Sequence, residues 1–207
     1  MQAGLKRAEE FDKQFGVDTA GIIHPSELNI SNANQLHAVS YGGSDPKDFR
    51  EAIGALDADY SSFVFIDFGS GKGRAILLAT EFPFRRIVGL EFSEKLHGIA
   101  ENNVTHFKSN MAKCRNVELL CIDVMDYCLP DEPLVCYFCN PFDETLMTKV
   151  ISNIRRSFLA KPREIFVVYY NAKEAHLFDG SDCFQRVEAG GWARIWRTAP
   201  GRVIAKS

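Results

Sequence analysis

The sequence predicts an α/β protein organised on a doubly wound, mostly parallel sheet, and three observations carry that expectation. Short β-rich runs at residues 63–68, 86–92, 117–124, 134–139 and 164–170 alternate with helical patterns at about 73–82, 93–113 and 143–159. Several of the runs are continuously apolar, as strands are when helices cover both faces of a parallel sheet. The turn after the first run, Asp67-Phe-Gly-Ser-Gly-Lys-Gly-Arg74, puts an acid and three glycines where a strand hands over to a helix. Repetition of strand, helix and strand implies right-handed crossovers and a ligand crevice beyond the C-terminal strand ends.

Residues 1–60 precede this pattern as a helical and loop extension. Leu5, Ala8, Phe11 and Phe15 recur at helical spacing among charges, which predicts an amphipathic helix ending near Gly16. Residues 17–43 mix Gly, Pro, Ser and Asn without a period and read as loop with short helical turns. Asp45-Pro46 then reads as an N-cap followed by proline at the first helical position, with Phe49, Ile53 and Leu56 on one face. At the other end, residues 184–188, 193–198 and 202–205 read as short strands turned at Gly190-Gly191 and Pro200-Gly201. One core over residues 61–207, with no internal repeat or linker, is the simplest division.

Composition narrows the setting. The 207 residues carry a formal net charge of −3, which gives no long-range field for nucleic acid, although a local basic face is compatible with it. The first ten residues lack the apolar centre of a signal peptide, and no run approaches the ~20 apolar residues of a membrane span. The expectation is a cytoplasmic protein with no membrane partner. Cys114, Cys121, Cys128, Cys136, Cys139 and Cys183 fall mostly in apolar runs, as reduced thiols do. Cys136 and Cys139 form a lone C-x-x-C on a strand, where residues three apart face opposite ways, so no metal is expected.

The glycine corner is the organising feature. Gly69, Gly71 and Gly73 allow positive φ and close approach of a ligand, and the amides opening the next helix are expected to point outward. A phosphate-binding P-loop is excluded, because Gly71-Lys72 is followed by Gly73 and the first glycine of that pattern would fall on Ile66. The corner departs from a dinucleotide G-x-G-x-x-G, since the third glycine comes one position early and Asp67 stands two before the first, and a dehydrogenase stays the residual alternative for the fold. The second strand ends Val88-Gly-Leu-Glu91, where a carboxylate can accept both ribose hydroxyls of an adenosyl group, a device that NAD enzymes share. Ser93 caps the following helix. The third strand ends Ile122-Asp123-Val124 and the fourth Cys139-Asn140-Pro141-Phe142, with Asp143 as the next cap.

D-x-G-x-G-x-G at Asp67 to Gly73 resembles the first motif of class I S-adenosylmethionine (SAM)-dependent methyltransferases, which have a Rossmann-like sheet with an antiparallel C-terminal strand pair. The resemblance covers residues 61–207. The runs Asp67 to Ala75, Phe82 to Glu91 and Asn140 to Phe142 look like a group of small bacterial class I methyltransferases of unknown substrate. It implies SAM as cofactor, its amino-acid end held by Asp67, Gly69, Ser70 and Gly71, and its ribose by Glu91. Adenine would be held by Asp123 and the Val124 amide. A ligand bearing an ammonium and a sulfonium favours such carboxylates over an amide-only cradle.

Methyltransferases acting on amine nitrogens carry Asn or Asp, two prolines and an aromatic at the fourth strand end. Here Asn140 is followed by one proline, so the nitrogen target and an orienting role for Asn140 stay open. Phe142 is the candidate to pack on the substrate, and only one of Tyr169 and Tyr170 can face the cleft; Tyr170 is the candidate. The extension is expected to cover the site, with Tyr41, His24 and His37 available to line it. In-line transfer from a sulfonium needs alignment and exclusion of water more than a covalent nucleophile. The acceptor is expected to be a protein side chain or small molecule; a nucleic-acid methyltransferase and a non-catalytic SAM- or S-adenosylhomocysteine-binding module are the alternatives. A nucleic-acid enzyme would display Lys72, Arg74, Arg155 and Arg156 on one face. Oligomeric state is not legible.

Overall fold

Alternate residues of the central strands feed two separate hydrophobic layers, and that parity builds the molecule. The computed structural model describes residues 2–28, 39–187 and 191–199. Seven strands form one sheet: β3 (Val64–Phe68), β4 (Arg86–Glu91), β5 (Val117–Cys121), β6 (Leu134–Cys139), β7 (Ile165–Tyr170), β8 (Phe184–Val187) and β9 (Ala193–Thr198). Their order is β5-β4-β3-β6-β7-β9-β8. The first five are mutually parallel, and β9 runs antiparallel to both β7 and β8. The strand order reverses between β3 and β6, so their C-terminal ends flank the switch point where α/β sheets open a crevice.

Val64, Ile66 and Phe68 of β3, with Leu134, Cys136 and Phe138 of β6, pack in one layer with α5 (Glu144–Ala160) and Phe178 of the short α6 (His176–Asp179). Phe65, Val135 and Tyr137 turn the other way. They meet α1 (Gln2–Phe15), α2 (Pro46–Gly54) and α3 (Arg74–Ala79) in the second layer. Every one of these strand residues is at most 2% exposed, as continuous apolar runs require.

The helix starts follow the expected caps. Asp45 accepts the Lys47 and Asp48 amides with Pro46 at the first helical position. Ser93 Oγ accepts Leu96 N at the start of α4 (Glu94–His106), and Asp143 accepts Leu146 N. The second of these helices is shorter than its pattern: it stops at His106 because the chain turns back, with Lys113 and Cys114 both donating to the Thr80 carbonyl at the end of α3. The pairing of β1 (Ile22–Ile23) with β2 (Tyr41–Gly42), and α6, are too short to produce a period and were not expected. The turns at Gly190 and Pro200-Gly201, the strand at 202–205 and His37 lie outside the described residues. No described helix is long and apolar enough to cross a membrane.

Candidate functional site

The glycine corner is clamped by the protein itself. Gly69, Gly71 and Gly73 have φ of 82°, 54° and 85°, backbone that other residues adopt only with strain. A Cβ on Gly69 would stand 2.6 Å from Pro141 Cβ, and one on Gly71 would stand 2.3 Å from the Tyr41 ring. The close approach expected of a ligand is thus made here by two side chains, one from the β6 edge and one from the extension.

Four amides of the corner are taken up inside the protein. Gly69 N and Ser70 N donate to the Leu90 carbonyl, Gly73 N to the Ser70 carbonyl, and Gly71 N to Glu91 Oε2 at 2.8 Å. A loop that consumes these donors internally offers no phosphate cradle.

What faces the crevice instead is charge. Asp67 and Glu91, 2% and 4% exposed, line one cleft with Ser70, Gly71, Arg74, Phe92, Asn140 and Phe142 among others. Burial, and then the neighbouring Glu91, push the Asp67 carboxyl up to about 8. Burial pushes Glu91 up to about 7, opposed by bonds from the backbone amides of Ser93, Gly71 and Phe92. Each Glu91 oxygen already accepts an amide and retains a second lone pair for a further donor.

Arg74 stands on the same cleft, 2% exposed, at the first position of α3. Its Nε donates to Thr19 Oγ1 at 2.7 Å and its Nη1 to the Ser44 carbonyl at 3.3 Å. Its Nη2 has no hydrogen-bond partner, with Asp12 Oδ1 4.0 Å away. Among the described residues, Asp67 Oδ1 and Arg74 Nη2 are the buried side-chain polar atoms left without a hydrogen bond. One is anionic when ionised and one cationic, and both border a single cleft.

The remaining expected residues divide. Tyr41 lines the cleft, its ring on Gly71 and its hydroxyl donating to the Thr19 carbonyl at 2.6 Å. Asn140 is 7% exposed with φ 48°, and its Oδ1 accepts from the Tyr169 hydroxyl at 3.3 Å. Tyr169 and Tyr170 face opposite layers: Tyr169 orients Asn140 from inside the core, while Tyr170 lines a second cavity and donates to Asp48 Oδ2 at 3.2 Å. Asp123 and Val124 do not border the first cleft among the described residues. Asp123 is half-buried and folds back to accept Met125 N at 2.9 Å, and Val124 packs into the core. His24 is exposed, hydrogen-bonded to Ser40.

Lys72, Arg74 and Arg155 do not form one exposed basic stripe. Lys72 is 6% exposed and donates to Asp18 and the Ala20 carbonyl, and Arg74 is buried beside it, whereas Arg155 pairs with Asp182 along α5. Arg74 itself was not among the expected ligand contacts. Its signal was an arginine directly after the last glycine, where a helix begins against the cleft.

The cleft is tight as it stands, with room of about 60 Å³, against the ~300 Å³ or more of an ordinary small-molecule site. Residues 39–44 line it, and it shares Ser40, Gly42, Gly43, Arg74, Cys139 and Asn140 with a second cavity of about 540 Å³.

No protein-family model matches the chain, and no curated protein matches it significantly. Solved structures do. The chain is similar to a predicted N6-adenine-specific DNA methylase from Listeria monocytogenes, at 12% identity and a TM-score of 0.55, over 76% of this chain and 51% of that one. It is similar to TrmN from Thermus thermophilus, at 17% identity and a TM-score of 0.54, over 76% and 50%. It is also similar to the magnesium protoporphyrin IX methyltransferase ChlM from Synechocystis PCC 6803 with bound SAM, at 16% identity and a TM-score of 0.50, over 72% and 74%. The chain spans about half the length of the first two. Its sheet is therefore the fold of class I SAM-dependent methyltransferases, with β9 as the reversed strand.

Proposed function

We propose that the protein is a SAM-dependent methyltransferase whose cofactor lies in the cleft between the β3 and β4 ends. One observation carries this reading: Asp67 and Arg74, whose Oδ1 and Nη2 are buried without partners, line the same cleft, one able to become an anion and one a cation. Leaving either unpaired costs roughly 1–3 kcal/mol, more when it is charged, and the zwitterionic amino-acid end of SAM supplies both missing partners. Asp67 would take the ammonium and Arg74 the carboxylate, while Glu91 offers its remaining lone pairs to the ribose hydroxyls. Asp123 and Val124 remain candidates for adenine once the nucleoside extends past Phe92. SAM would supply an electrophilic methyl group.

The chain's own residues do the rest. Residues 1–60 form the cover of a core at 61–207, and the 39–44 segment must yield for a nucleoside to enter. Asn140, held by Tyr169, orients the acceptor through its carbonyl, and Phe142 closes the apolar side. A nitrogen on a small molecule is the acceptor that fits best. A second reading, transfer to a nucleobase, is favoured by two fold neighbours, the predicted N6-adenine-specific DNA methylase and the 23S rRNA methyltransferase ErmE, and by the Asn140-Pro141-Phe142 edge. The burial of Lys72 and Arg74 weighs against it. Calorimetry with S-adenosylhomocysteine tests the cofactor site. Binding should weaken by at least ~1.5 kcal/mol in Asp67→Ala and again in Arg74→Gln, since each leaves a ligand charge unpaired. Failure of the wild type to bind, or unchanged binding in both folded variants, would remove the assignment.

A further inference from the structure

We propose that the second cavity is the acceptor site and that it takes a primary or secondary amine carried on a flat apolar body, such as an arylalkylamine. This rests on the cofactor reading above, because the cavity is defined as an acceptor site by its shared wall with the first cleft: Gly43, Arg74, Cys139 and Asn140 border both.

The cavity's chemistry is lopsided. Its charged groups are Arg7, Asp45, Asp48 and Arg74. Arg7 is committed to Asp45, donating from Nε at 2.8 and 3.1 Å and from Nη2 at 2.6 Å. Arg74 is turned inward toward Thr19, Ser44 and Asp12. Among the described residues, no cation is hydrogen-bonded to Asp48. Its Oδ2 accepts from the Tyr170 hydroxyl, and burial together with Asp45 raises its carboxyl above the usual range while Tyr170 and Arg7 oppose this. Asp45, Asn140 and Asn171 line the same cavity with further side-chain acceptors. A donor-rich group suits such a surface: an ammonium pairs with Asp48 and passes that carboxylate a proton, after which the neutral amine attacks the methyl, the S–CH3 bond breaks and S-adenosylhomocysteine leaves.

The mouth is apolar out of proportion to the rest of the surface. Leu5, Ile22 and Trp192 border it, 45%, 58% and 77% exposed, and they are three of the five exposed large hydrophobic residues among those described. They come from α1, β1 and the segment before β9, so their meeting at one opening is not a by-product of a single amphipathic element. A flat ring stacking at Trp192 with its amine reaching Asp48 satisfies both halves of the site. An indole at the rim of a cavity of about 540 Å³ also suits a drug-sized molecule better than a polymer.

Trp192 reports on binding directly, because the other tryptophan, Trp196, is fully buried. Full-length protein without cofactor should show saturable quenching or shift of tryptophan emission with phenethylamine and a much weaker response to 2-phenylethanol, which keeps the ring and loses the charge. Asp48→Asn should weaken phenethylamine about ten-fold or more, the loss of one charge-assisted bond, and leave 2-phenylethanol unchanged. Trp192→Phe should abolish the signal, with calorimetry still detecting a weakened complex. Equal affinity for amine and alcohol, an Asp48→Asn variant of unchanged melting temperature that binds the amine normally, or displacement by a single-stranded oligonucleotide in place of the amine would each overturn the proposal. S-adenosylhomocysteine calorimetry on the same protein separates the two failures: loss there refutes the cofactor cleft, while loss of the amine response alone refutes the acceptor cavity.

Discussion

Replacing Asp67 by Asn should make the ligand-free protein more resistant to mild alkali while destroying its grip on the cofactor. Asp67 is 2% exposed, its Oδ1 is unpartnered, and its carboxyl is raised from 3.8 to about 8 by burial and then by Glu91. The sign follows from proton counting. Between those two values the folded state holds a proton that the unfolded chain has released, so stability is full below about pH 4 and falls as pH rises toward 8. At roughly 1.36 kcal/mol per pH unit, the ceiling for this one carboxyl is on the order of 5 kcal/mol. Water entry and local relaxation return part of it, leaving ~2–3 kcal/mol, or roughly 5–10 °C in melting temperature for a domain of this size.

The assay is calorimetric melting of wild type and Asp67→Asn from pH 5.5 to 8.5, read as the difference between the two so that other titrating groups cancel. The gap should widen in favour of the variant from pH 5.5 to about pH 8 and then level off. Cofactor affinity should move the opposite way in wild type. An ammonium favours the ionised carboxylate, so binding expels a proton and tightens with pH until about 8, and the variant should lose that dependence. A melting difference that stays constant across the range, or a wild type whose cofactor affinity is flat between pH 6 and 8, would refute the reasoning.

Three further outcomes test neighbouring parts of the structure. Gly71→Ala puts a methyl 2.3 Å from the Tyr41 ring at φ 54° and should cost roughly 2–3 kcal/mol by chemical denaturation; adding Tyr41→Ala should return the steric part and leave about 1 kcal/mol of backbone strain. Asn140→Ala should abolish turnover while S-adenosylhomocysteine still binds by calorimetry, and full activity would end its orienting role. Arg50→Ala removes two 2.7 Å bonds from Glu81, itself 5% exposed, and should destabilise by roughly 2 kcal/mol, with Glu81→Gln in the same background recovering much of it.

The parts of this protein that were legible in its sequence are those whose cause is local. Strand parity assigned Tyr169 and Tyr170 to opposite layers before any coordinates, because a pleated strand alternates whatever surrounds it. The caps at Asp45, Ser93 and Asp143 were legible for the same reason: each closes a hydrogen-bonded turn within three residues. The candidate site is different, since its decisive contacts join residues far apart in the chain. Gly71 is a glycine because of a tyrosine thirty positions earlier, and Arg74 is held by groups at 12, 19 and 44. Nothing periodic marks those partners, so the corner read as a space for ligand when the protein's own extension already occupies it. Asp123, after the third strand, accepts the Met125 amide two residues on, a local turn of the kind a sequence does display. Sequence order placed Asp67 and Glu91 at neighbouring strand ends, but the orientation of Arg74 toward the same cleft is set by Thr19 and Ser44, which no local pattern ties to it.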